Sequence, residues 1–358
     1  MINIIAPINP LGYGVAGFNL STRLNEIDDV SLWPIGNIQV YSQEEAELVQ
    51  PMISSASFFD EKAPCVRIWH QHDMAQFVGN GEKIGFPIFE LDKFNELEKH
   101  HLKTLDKIFV CSEWAKTVVL MNLYTPSSKV QVVPLGVDVN IFKPKMNNSD
   151  KTIFFNCGKW EIRKGHDILF NIFEEAFEAD DNVELWMMTT NPFLSEEEDA
   201  SWKKLYRNSK LGEKIKFIDR VAQHKEVYNI MEKADCGIFP SRAEGWNLEL
   251  LEMLACGKQV ITTNYSAHTE FCNKENSYLI ETPNKETAYD GKWFLGKGGQ
   301  WAKIGAKEIT HFAEAMRKVH EDKKNGRLTL NQHGVETANK YSWKNAALKM
   351  KSKIYGDK

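Results

Sequence analysis

The feature that most constrains this chain is an alternation of short apolar runs, rich in β-branched residues, with longer helical patterns. In the first part of the sequence, apolar runs at 2–6, 65–69 and 107–111 alternate with helical patterns at 17–24 and 94–105. This alternation is typical of βα units, because consecutive parallel strands need a connection of helix length. The sequence therefore predicts an α/β fold built on parallel sheets.

The alternation occurs twice along the chain. Residues 143–150 form a polar stretch with a proline and several turn formers, which predicts a domain linker. A second series follows, with strand patterns at 152–156, 183–188, 214–218, 236–239 and 259–263 and helical patterns at 166–179, 225–233 and 247–255. Because 358 residues are too many for one core, we predict two doubly wound, Rossmann-like domains at 1–145 and 150–340. Ligands of such sheets bind outside the carboxyl ends of the strands, so the two domains are expected to face a central cleft.

Composition and charge exclude several classes of protein. The net charge is -5 and the first predicted domain is acidic, which disfavours non-specific binding to nucleic acid or anionic lipid. The six cysteines form no C-x-x-C pair, so we expect buried free thiols in a reducing compartment. No apolar stretch reaches the roughly 18 residues of a membrane span, and no basic segment precedes an apolar one at the N-terminus. These features predict a cytoplasmic protein without a transmembrane segment.

The first candidate motif is glycine-rich. The sequence Gly12-Tyr-Gly14-Val-Ala-Gly17 follows a predicted strand and precedes a predicted helix, where backbone amides and the helix dipole can hold a phosphate. In a nicotinamide enzyme the next strand would end near an acidic residue. Here the strand at 30–33 is followed by Pro-Ile-Gly-Asn, with no carboxylate. The motif disfavours a dehydrogenase and leaves two interpretations, a phosphate loop or a glycine loop that only turns the chain.

The second candidate is a basic loop, Gly158-Lys-Trp-Glu-Ile-Arg-Lys-Gly165, after the first strand of the second domain. Its cations, Lys159, Arg163 and Lys164, could neutralise a diphosphate leaving group. A solvated basic loop is the alternative interpretation.

The third candidate is a pair of glutamates, Glu244 and Glu252, separated by eight positions. A helix starting near Trp246 would place Glu244 in the preceding loop and Glu252 in the second turn, so that both side chains point to one opening. The free amides of residues 246–248 would face an anion. One carboxylate could then hold sugar hydroxyls and the other a ribose diol, although such spacing also occurs by chance.

In their combination and order, these motifs resemble the retaining nucleotide-sugar glycosyltransferases of the GT-B fold, in the E-x7-E group (glycosyl transferases group 1, family 4-like). The resemblance covers nearly the whole chain. Residues 132–138 are similar to the stretch that leads into the interdomain linker, and residues 220–227 to the segment that contacts the nucleotide base. Tyr341-Ser-Trp343 begins what resembles the terminal helix, about 342–358, that packs back on the first domain. The resemblance implies that the N-terminal domain binds the acceptor and the C-terminal domain binds the donor.

The resemblance also implies roles for individual residues. It implies the catalytic residues His70, Lys164 and Glu244. It implies the donor-binding residues Gly12, Gly14, Lys159, Arg163, Lys164, Arg220, Val221, Glu244, Trp246, Asn247, Leu248 and Glu252. On the acceptor side, His70 ends a strand pattern, His72 and Asp73 are near alternatives, and Glu90 could line the pocket or start a helix. The pair His70-x-His72 could also be structural or bind a stray metal.

Two positions depart from the family pattern. Lys159 stands where members often have arginine, which keeps the charge without the bidentate geometry. Gly245-Trp246-Asn247-Leu248 stands where Phe-Gly-Leu is common, so the shape near the sugar is expected to differ.

The implied mechanism is a metal-independent front-face displacement that transfers a hexose with retention, and no D-x-D triplet of metal-dependent transferases is present. Glu244 would position the sugar, so we expect Glu244→Ala to reduce turnover strongly with little loss of fold. The alternatives are a nucleotide-sugar epimerase, a phosphorylase, or a catalytically silent nucleotide-sugar-binding subunit. UDP-glucose and GDP-mannose are the first donor candidates. The acceptor stays open among a glycan, a lipid, a small molecule, a protein and a nucleic-acid base, as does the oligomeric state.

Overall fold

The computed structural model describes residues 1–356 and divides into two compact units. The first unit comprises Met1–Gly136 and the segment from Tyr341 onward, and the second comprises Val137–Lys340. The last two positions of the terminal helix expected at 342–358, residues 357 and 358, lie outside the described residues.

The first unit is built on a six-stranded parallel sheet with the order β2-β1-β3-β4-β5-β6. β1 is buried along its whole length, as expected for a strand covered on both faces. The elements of this unit are β1 (Ile2–Ala6), α1 (Gly12–Asn25), β2 (Val30–Pro34), α2 (Gln43–Ser55), β3 (Cys65–Arg67), β4 (Lys83–Gly85), α3 (Glu96–Lys103), β5 (Lys107–Val110), α4 (Glu113–Leu123) and β6 (Val130–Val132).

The last helix of the chain, α12 (Trp343–Tyr355), returns to the first unit. Trp343 is buried. Its backbone nitrogen lies close to Gly136, and a Cβ added at Gly136 would be only 2.3 Å from that nitrogen. Lys107 Nζ donates to the carbonyl of Ile354 at 3.0 Å, and Lys351 pairs with Asp28 at 3.2 Å. The terminal helix therefore belongs to the core of the first unit.

The second unit contains a parallel sheet with the order β12-β11-β10-β7-β8-β9 and a separate antiparallel pair, β13-β14. Helices α5 and α10 pack together on the main sheet over a continuous apolar core. The elements are β7 (Thr152–Gly158), α5 (Leu169–Ala176), β8 (Val183–Thr189), α6 (Glu196–Arg207), β9 (Ile215–Phe217), α7 (His224–Met231), β10 (Cys236–Phe239), α8 (Leu248–Ala255), β11 (Gln259–Thr263), α9 (His268–Phe271), β12 (Tyr278–Ile280), β13 (Lys285–Tyr289), β14 (Leu295–Ala302), α10 (Ala306–Lys324) and α11 (Gln332–Lys340).

The structure confirms the predicted fold class, two doubly wound parallel sheets with helices. Some predicted boundaries differ. The helix expected at 166–179 is shorter, Leu169–Ala176, because the residues before it form a buried loop. The sequence analysis did not predict the β13-β14 hairpin. All six cysteines are free thiols, five of them buried, and no helix within residues 1–356 combines the length and the apolar character that a membrane span needs.

The compact units divide at Gly136, earlier in the chain than the expected linker at 143–150. The reason is that the intervening residues pack on the second unit. Phe142 is buried, Lys145 pairs with Glu232 at 2.8 Å, and the side-chain amide of Asn147 donates to Asp235 at 2.9 Å.

Candidate functional site

The site in the second unit is formed by two loops that follow neighbouring strands. β7 and β10 are adjacent in the sheet, so the loops at their carboxyl ends, 159–168 and 240–247, meet at one edge. The backbone nitrogen of Arg242 donates to the carbonyl of Arg163 at 2.6 Å. Gly165 has φ of 75°, and a Cβ there would lie 2.1 Å from the carbonyl oxygen of Pro240. Only glycine fits this position, so the sequence fixes the contact between the two loops.

Glu244 lies at the centre of this edge, 4% exposed. Its Oε2 accepts from Arg163 Nη1 at 2.6 Å, and its Oε1 accepts from Lys164 Nζ at 3.0 Å and from Ser241 Oγ at 2.9 Å. The backbone nitrogen of Glu244 donates to Ser266 Oγ at 2.8 Å. Burial works against the charged form, but the two cations outweigh it and hold the pKa of Glu244 far below its ordinary value. Glu244 is therefore a fixed anion.

Arg163 is held from two sides by carboxylates. Its Nε and Nη2 donate to Glu161 Oε2 at 3.0 and 2.7 Å, and its Nη1 also donates to the carbonyl of Ala243 at 2.7 Å. Lys159, with 40% of its side chain exposed, pairs with the other oxygen of Glu161 at 3.1 Å. Burial opposes ionisation of Glu161, but Arg163 and Lys159 lower its pKa. The described contacts of Arg163 go to the protein itself, and its predicted contact with donor phosphate stays a prediction.

Lys164 is the buried cation of the loop. Its side chain runs over Gly158, where a Cβ would stand 3.1 Å from its Cδ and Cε. Burial lowers the pKa of Lys164, but the carboxylates of Glu244 and Glu249 outweigh it and raise the pKa above the ordinary value. Lys164 is therefore positively charged at neutral pH.

Two buried histidines flank this network as neutral groups. His166 Nδ1 accepts from the backbone nitrogen of Glu161 at 3.1 Å, and its Nε2 lies 2.9 Å from Asn156 Oδ1, which assigns the proton to Nε2. Burial and the charge of Lys164 lower the pKa of His166 to about 3. Burial likewise lowers the pKa of His268 to about 4. The charged groups are thus embedded among polar groups that carry no charge at neutral pH.

Asn247 caps the helix that follows the second loop. It has φ of 83°, and its side-chain oxygen accepts from the backbone nitrogen of Leu250 at 3.2 Å. Its side-chain nitrogen donates to His268 Nε2 at 2.9 Å, while His268 Nδ1 lies 3.1 Å from the carbonyl of Thr263. His268 therefore holds Asn247 in a left-handed conformation that non-glycine residues rarely adopt. The amides of the first turn of α8, which have no intrahelical acceptors, are oriented by this arrangement.

Glu252 differs from Glu244 although both are buried. It lies on α8, with Oε1 3.7 Å from His224 Nδ1 at the start of α7. Burial raises the pKa of Glu252 well above its ordinary value, and the charge of Glu249 raises it further. Glu252 therefore holds its proton to a higher pH than an exposed glutamate does.

The structure corrects the expected helix start and places the other predicted donor residues. α8 begins at Leu248 and not near Trp246. Trp246 is buried, with its ring 4.8 Å from that of Phe271, so its side chain packs in the interior. Arg220 is exposed and Val221 is partly exposed in the loop before α7.

In the first unit, Tyr13 brings several predicted residues together. Its hydroxyl donates to the carbonyl of Ile88 at 2.7 Å, and its ring centroid lies 4.7 Å from that of His70. Burial raises the pKa of Tyr13, and the charge of Glu90 adds to this. Gly12 is the first residue of α1, and Gly14 is required for packing, since a Cβ there would lie 2.2 Å from the carbonyl of Asn9.

The near alternatives to His70 have different surroundings. His72 is exposed and stacks on His70 with 5.2 Å between the ring centroids. Asp73 pairs with the buried Arg67 at 3.0 Å, and Arg67 Nε donates to the carbonyl of Asp73 at 2.9 Å. The contacts of Asp73 stabilise the turn after β3.

The geometry revises one expectation of the sequence analysis. Glu244→Ala was expected to leave the fold intact, but Glu244 compensates two buried cations, Arg163 and Lys164. Removing one partner of a buried ion pair costs about 3–5 kcal/mol. A loss of stability is therefore expected alongside any loss of activity.

Sequence reasoning assigned no role to seven members of the site: Glu161, His166, His224, Ser241, Glu249, Ser266 and His268. Glu161 lies inside the basic loop that was singled out for its cations alone. Ser266 and His268 follow β11, the neighbour of β10, so the rule that polar residues after parallel strands meet at one edge would have found them.

Comparison with known proteins places these features in a wider group. Residues 138–291 match the sequence profile of the family described as Glycosyl transferases group 1. The chain is 20% identical over 195 residues to the phosphatidylinositol N-acetylglucosaminyltransferase GPI3 subunit of Saccharomyces cerevisiae, which covers 52% of this chain and 42% of that protein. It is 23% identical over 166 residues to a GDP-mannose-dependent alpha-(1-6)-phosphatidylinositol dimannoside mannosyltransferase of Mycobacterium tuberculosis, covering 44% and 41%. The chain thus spans about half the length of the curated relatives it matches, or less.

The fold has close counterparts among solved structures. HepE from Anabaena, crystallised with UDP and glucose, superposes with a TM-score of 0.71 at 13% identity over 99% of both chains. This similarity identifies the architecture of two doubly wound parallel sheets as the GT-B fold.

Proposed function

We propose that this chain, whose residues 138–291 match the family of glycosyl transferases group 1, transfers a sugar from a nucleotide-sugar donor to an acceptor hydroxyl with retention at the anomeric carbon. The observation that carries the proposal is the buried pair of Lys164 and Glu244, 3.0 Å apart, beside the first turn of α8. This is an ion pair at the edge of the sheet where donors bind in doubly wound folds.

The charge of the site suits a diphosphate. Lys159, Arg163 and Lys164 carry three positive charges, against two negative charges on Glu161 and Glu244. The charge of Glu249 also acts on Lys164, so the three cations are balanced by three carboxylates, and the amides of the first turn of α8 add the positive end of its dipole. A diphosphate bound here would meet charge-assisted hydrogen bonds in a site with little water.

The mechanism we propose uses the donor itself as the base. The bond between the anomeric carbon and the diphosphate oxygen breaks, and the bonding electron pair leaves with the diphosphate. The acceptor oxygen attacks the same face of the sugar and forms the new glycosidic bond, while its proton passes to the departing phosphate oxygen. Lys164 and the α8 amides stabilise the developing negative charge, and the fixed anion Glu244 binds sugar hydroxyls. We propose that no metal ion is required, because these groups supply the positive charge.

The remaining roles follow the same scheme. We propose that Glu252 binds the ribose hydroxyls, with His224 beside it, and that His70 in the first unit contributes on the acceptor side. A UDP-sugar is the first donor candidate because HepE was crystallised with UDP and glucose. A GDP-sugar is the second because the mycobacterial relative is GDP-mannose-dependent. UDP-glucose and GDP-mannose are therefore the first hexosyl donors to examine.

The first experiment is a melting-temperature series with UDP-, GDP-, ADP- and dTDP-sugars and their parent nucleotides, in the presence of a chelator. A ligand that binds only the folded state at 100 times its Kd stabilises the protein by about 2.7 kcal/mol. We expect one nucleotide class to raise the melting temperature selectively. Absence of a shift for every donor would contradict the proposal.

Once the donor is known, proton NMR of the transfer product tests retention. The coupling constant of the anomeric proton shows whether the product has the configuration of the donor. An inverted product would contradict the front-face mechanism, and product formation without an acceptor would favour an epimerase.

A further inference from the structure

The hairpin β13-β14 and the loop after β8 place two exposed aromatic side chains together on the second unit. Trp293 is 47% exposed and Phe193 is 53% exposed, and their ring centroids lie 5.9 Å apart in an edge-to-face arrangement. Exposed apolar side chains that stand singly need no explanation, but these two rings contact each other and form one continuous aromatic surface. We call this pair the aromatic platform.

Hydrogen bonds fix the backbone segments that carry the two rings. The carboxylate of Asp290 accepts hydrogen bonds from the backbone nitrogens of Lys292 at 2.9 Å and Trp293 at 2.7 Å, which fixes the tip of the hairpin. The buried side chain of Asn191 accepts from the backbone nitrogen of Phe193 at 3.1 Å and donates to the carbonyl of Trp160 at 3.1 Å. Aromatic side chains on a fixed backbone have only two rotatable bonds each, so they lose little conformational entropy when a ligand binds.

The platform is connected to the donor-binding network through Lys159. Lys159 Nζ lies 5.6 Å from the centroid of the Phe193 ring and 3.1 Å from Glu161 Oε1. Glu161 in turn holds Arg163, which pairs with Glu244. The two aromatic rings are thus a few contacts away from the group that we propose to hold the donor sugar.

The hairpin is also tied to the loop that carries Glu244. The backbone nitrogen of Ala302 donates to the carbonyl of Arg242 at 2.9 Å. The Arg242 guanidinium stands 5.9 Å from the Trp301 ring centroid and 3.4 Å from Glu286 of β13. The hairpin and the sugar-positioning carboxylate therefore share one rigid support.

The chemistry of the surface favours a sugar over a membrane. Lys292 Nζ lies 5.6 Å from the Trp293 ring centroid, so each ring of the platform already has a positive group near it. The C–H bonds of a sugar ring carry the same sign of partial charge and suit the negative face of an aromatic ring. Lys292 is neutralised by Glu198, and the first turn of α6 holds four acidic residues, 196–199. This acidic surrounding repels anionic phospholipid and polynucleotide.

We propose that the aromatic platform of Phe193 and Trp293 is a subsite for the sugar ring of a glycan acceptor. This proposal extends the proposed function, since it names a carbohydrate as the acceptor class. It assigns a role to the hairpin that the donor site does not require.

The test measures sugar binding without a donor. In saturation-transfer difference NMR, methyl α-D-glucopyranoside, methyl α-D-mannopyranoside and maltose are each mixed with the protein, the Trp293→Ala and Phe193→Ala variants, and Phe58→Ala. Phe58 is 85% exposed in the first unit and serves as the matched control. We expect saturation of the ring protons of at least one sugar, reduced about fivefold or more in both platform variants and unchanged in Phe58→Ala. Equal signals in all four proteins, or none in any, would overturn the proposal.

Two further measurements separate the alternatives. Vesicles of phosphatidylglycerol that bind the protein but not Trp293→Ala would show that the surface is a membrane contact and would overturn the sugar subsite. Once a donor is known, Trp293→Ala is expected to raise the KM for a glycan acceptor without lowering kcat. If no nucleotide stabilises the protein but the NMR signals depend on Trp293, the proposed function is contradicted and the subsite is supported. If a nucleotide stabilises the protein but the NMR signals do not depend on Trp293, only the subsite is contradicted.

Discussion

Glu244 and Glu252 are the same residue type, both buried, and eight positions apart, yet their surroundings drive their ionisation in opposite directions. Glu244 is bonded to Arg163 and Lys164, and its pKa is held far below the ordinary value despite its burial. Glu252 has the neighbouring carboxylate Glu249 and a histidine at 3.7 Å, and burial raises its pKa. The two glutamates of the motif are the same residue type, but their pKa values shift in opposite directions.

The difference indicates two ways of binding hydroxyl groups. A fixed anion such as Glu244 can accept hydrogen bonds from sugar hydroxyls without reorganising. A carboxyl group such as Glu252 can donate a hydrogen bond when protonated, or lose its proton when a ligand supplies compensating hydrogen bonds. The first arrangement suits a group that must keep its place through a reaction, and the second suits a group that responds to ligand binding.

The largest expected effect comes from Glu244→Gln, which neutralises the fixed anion with little change of shape. Arg163 and Lys164 would be left buried with less compensating charge, and we expect a loss of about 3–5 kcal/mol in the free energy of unfolding. Transfer activity is expected to fall strongly as well. Urea denaturation at pH 7 measures the first effect. Glu275→Gln, at an exposed glutamate in the loop after α9 of the same unit, is the control and is expected to change stability by less than 1 kcal/mol.

A cost for Glu244→Gln similar to that of Glu275→Gln would contradict the ion-pair account. In that case the two cations would be solvated, and the difference between the two motif glutamates would lose its basis. Measurement at two salt concentrations adds a second check, since a buried pair is screened much less than an exposed one.

The second prediction concerns the neutral histidines around Glu244. His166 and His268 have folded-state pKa values of about 3 and about 4, below the ordinary 6.5. Between these values and 6.5 the unfolded chain binds more protons than the folded chain, so stability falls as the pH falls. For His268 the loss between pH 7.5 and pH 5 is about 2 kcal/mol. The pKa of Glu244 is lowered in the folded state, so Glu244 contributes a loss of stability only below about pH 4.5.

The measurement compares the wild type with His268→Gln across this range. We expect the variant to lose less stability between pH 7.5 and pH 5, because glutamine does not titrate. The variant will also be less stable at pH 7.5, since the side-chain nitrogen of Asn247 loses its hydrogen-bond acceptor. The test therefore depends on how the free energy of unfolding changes with pH, and not on its value at one pH. An unchanged slope would mean that His268 is protonated in the folded protein.

Glu252→Gln is expected to have the opposite sign to Glu244→Gln. In the folded state the pKa of Glu252 is raised, so the wild type loses stability as the pH rises from 4.5 through the folded value. Glutamine removes this loss, and we expect a gain on the order of 1 kcal/mol at pH 8 that shrinks toward pH 5. Nucleotide-sugar affinity is expected to fall at the same time. Destabilisation at every pH would show that Glu252 is a compensated anion like Glu244.

The sequence predicted the fold well because the fold depends on periodicity. Strands β1, β10 and β11 were predicted at their observed bounds, since each is a short run of mostly apolar or β-branched residues that is buried along nearly its whole length. The β13-β14 hairpin was missed because it contains four glycines and many polar residues. Its position is set by contacts with Arg242 and Glu198, which lie far away in sequence.

The members of the site were easier to predict than their arrangement. Lys164, Glu244 and Glu252 were recognised from spacing and resemblance. The sequence could not predict that Arg163 bonds to Glu161 and Glu244, or that His268 fixes Asn247. These contacts join three loops that are brought together only by the order of the strands in the sheet. Nor does spacing distinguish a compensated carboxylate from an uncompensated one.

The smallest expected effect on stability is that of Lys159→Ala, which removes the exposed cation at the edge of the Glu244 network. Exposed ion pairs contribute about 0–1 kcal/mol, and Lys159 has 40% of its side chain exposed, so the free energy of unfolding should change by less than 1 kcal/mol. Donor binding should weaken by more than this, because the variant lowers the positive charge of the loop from three to two while the carboxylates of Glu161, Glu244 and Glu249 remain. Lys318→Ala, which removes another exposed ion-pair lysine, on α10, is the control for the general loss of a lysine. Isothermal titration with the nucleotide that stabilises the protein measures the difference, and equal affinities for both variants would place the diphosphate away from Lys159.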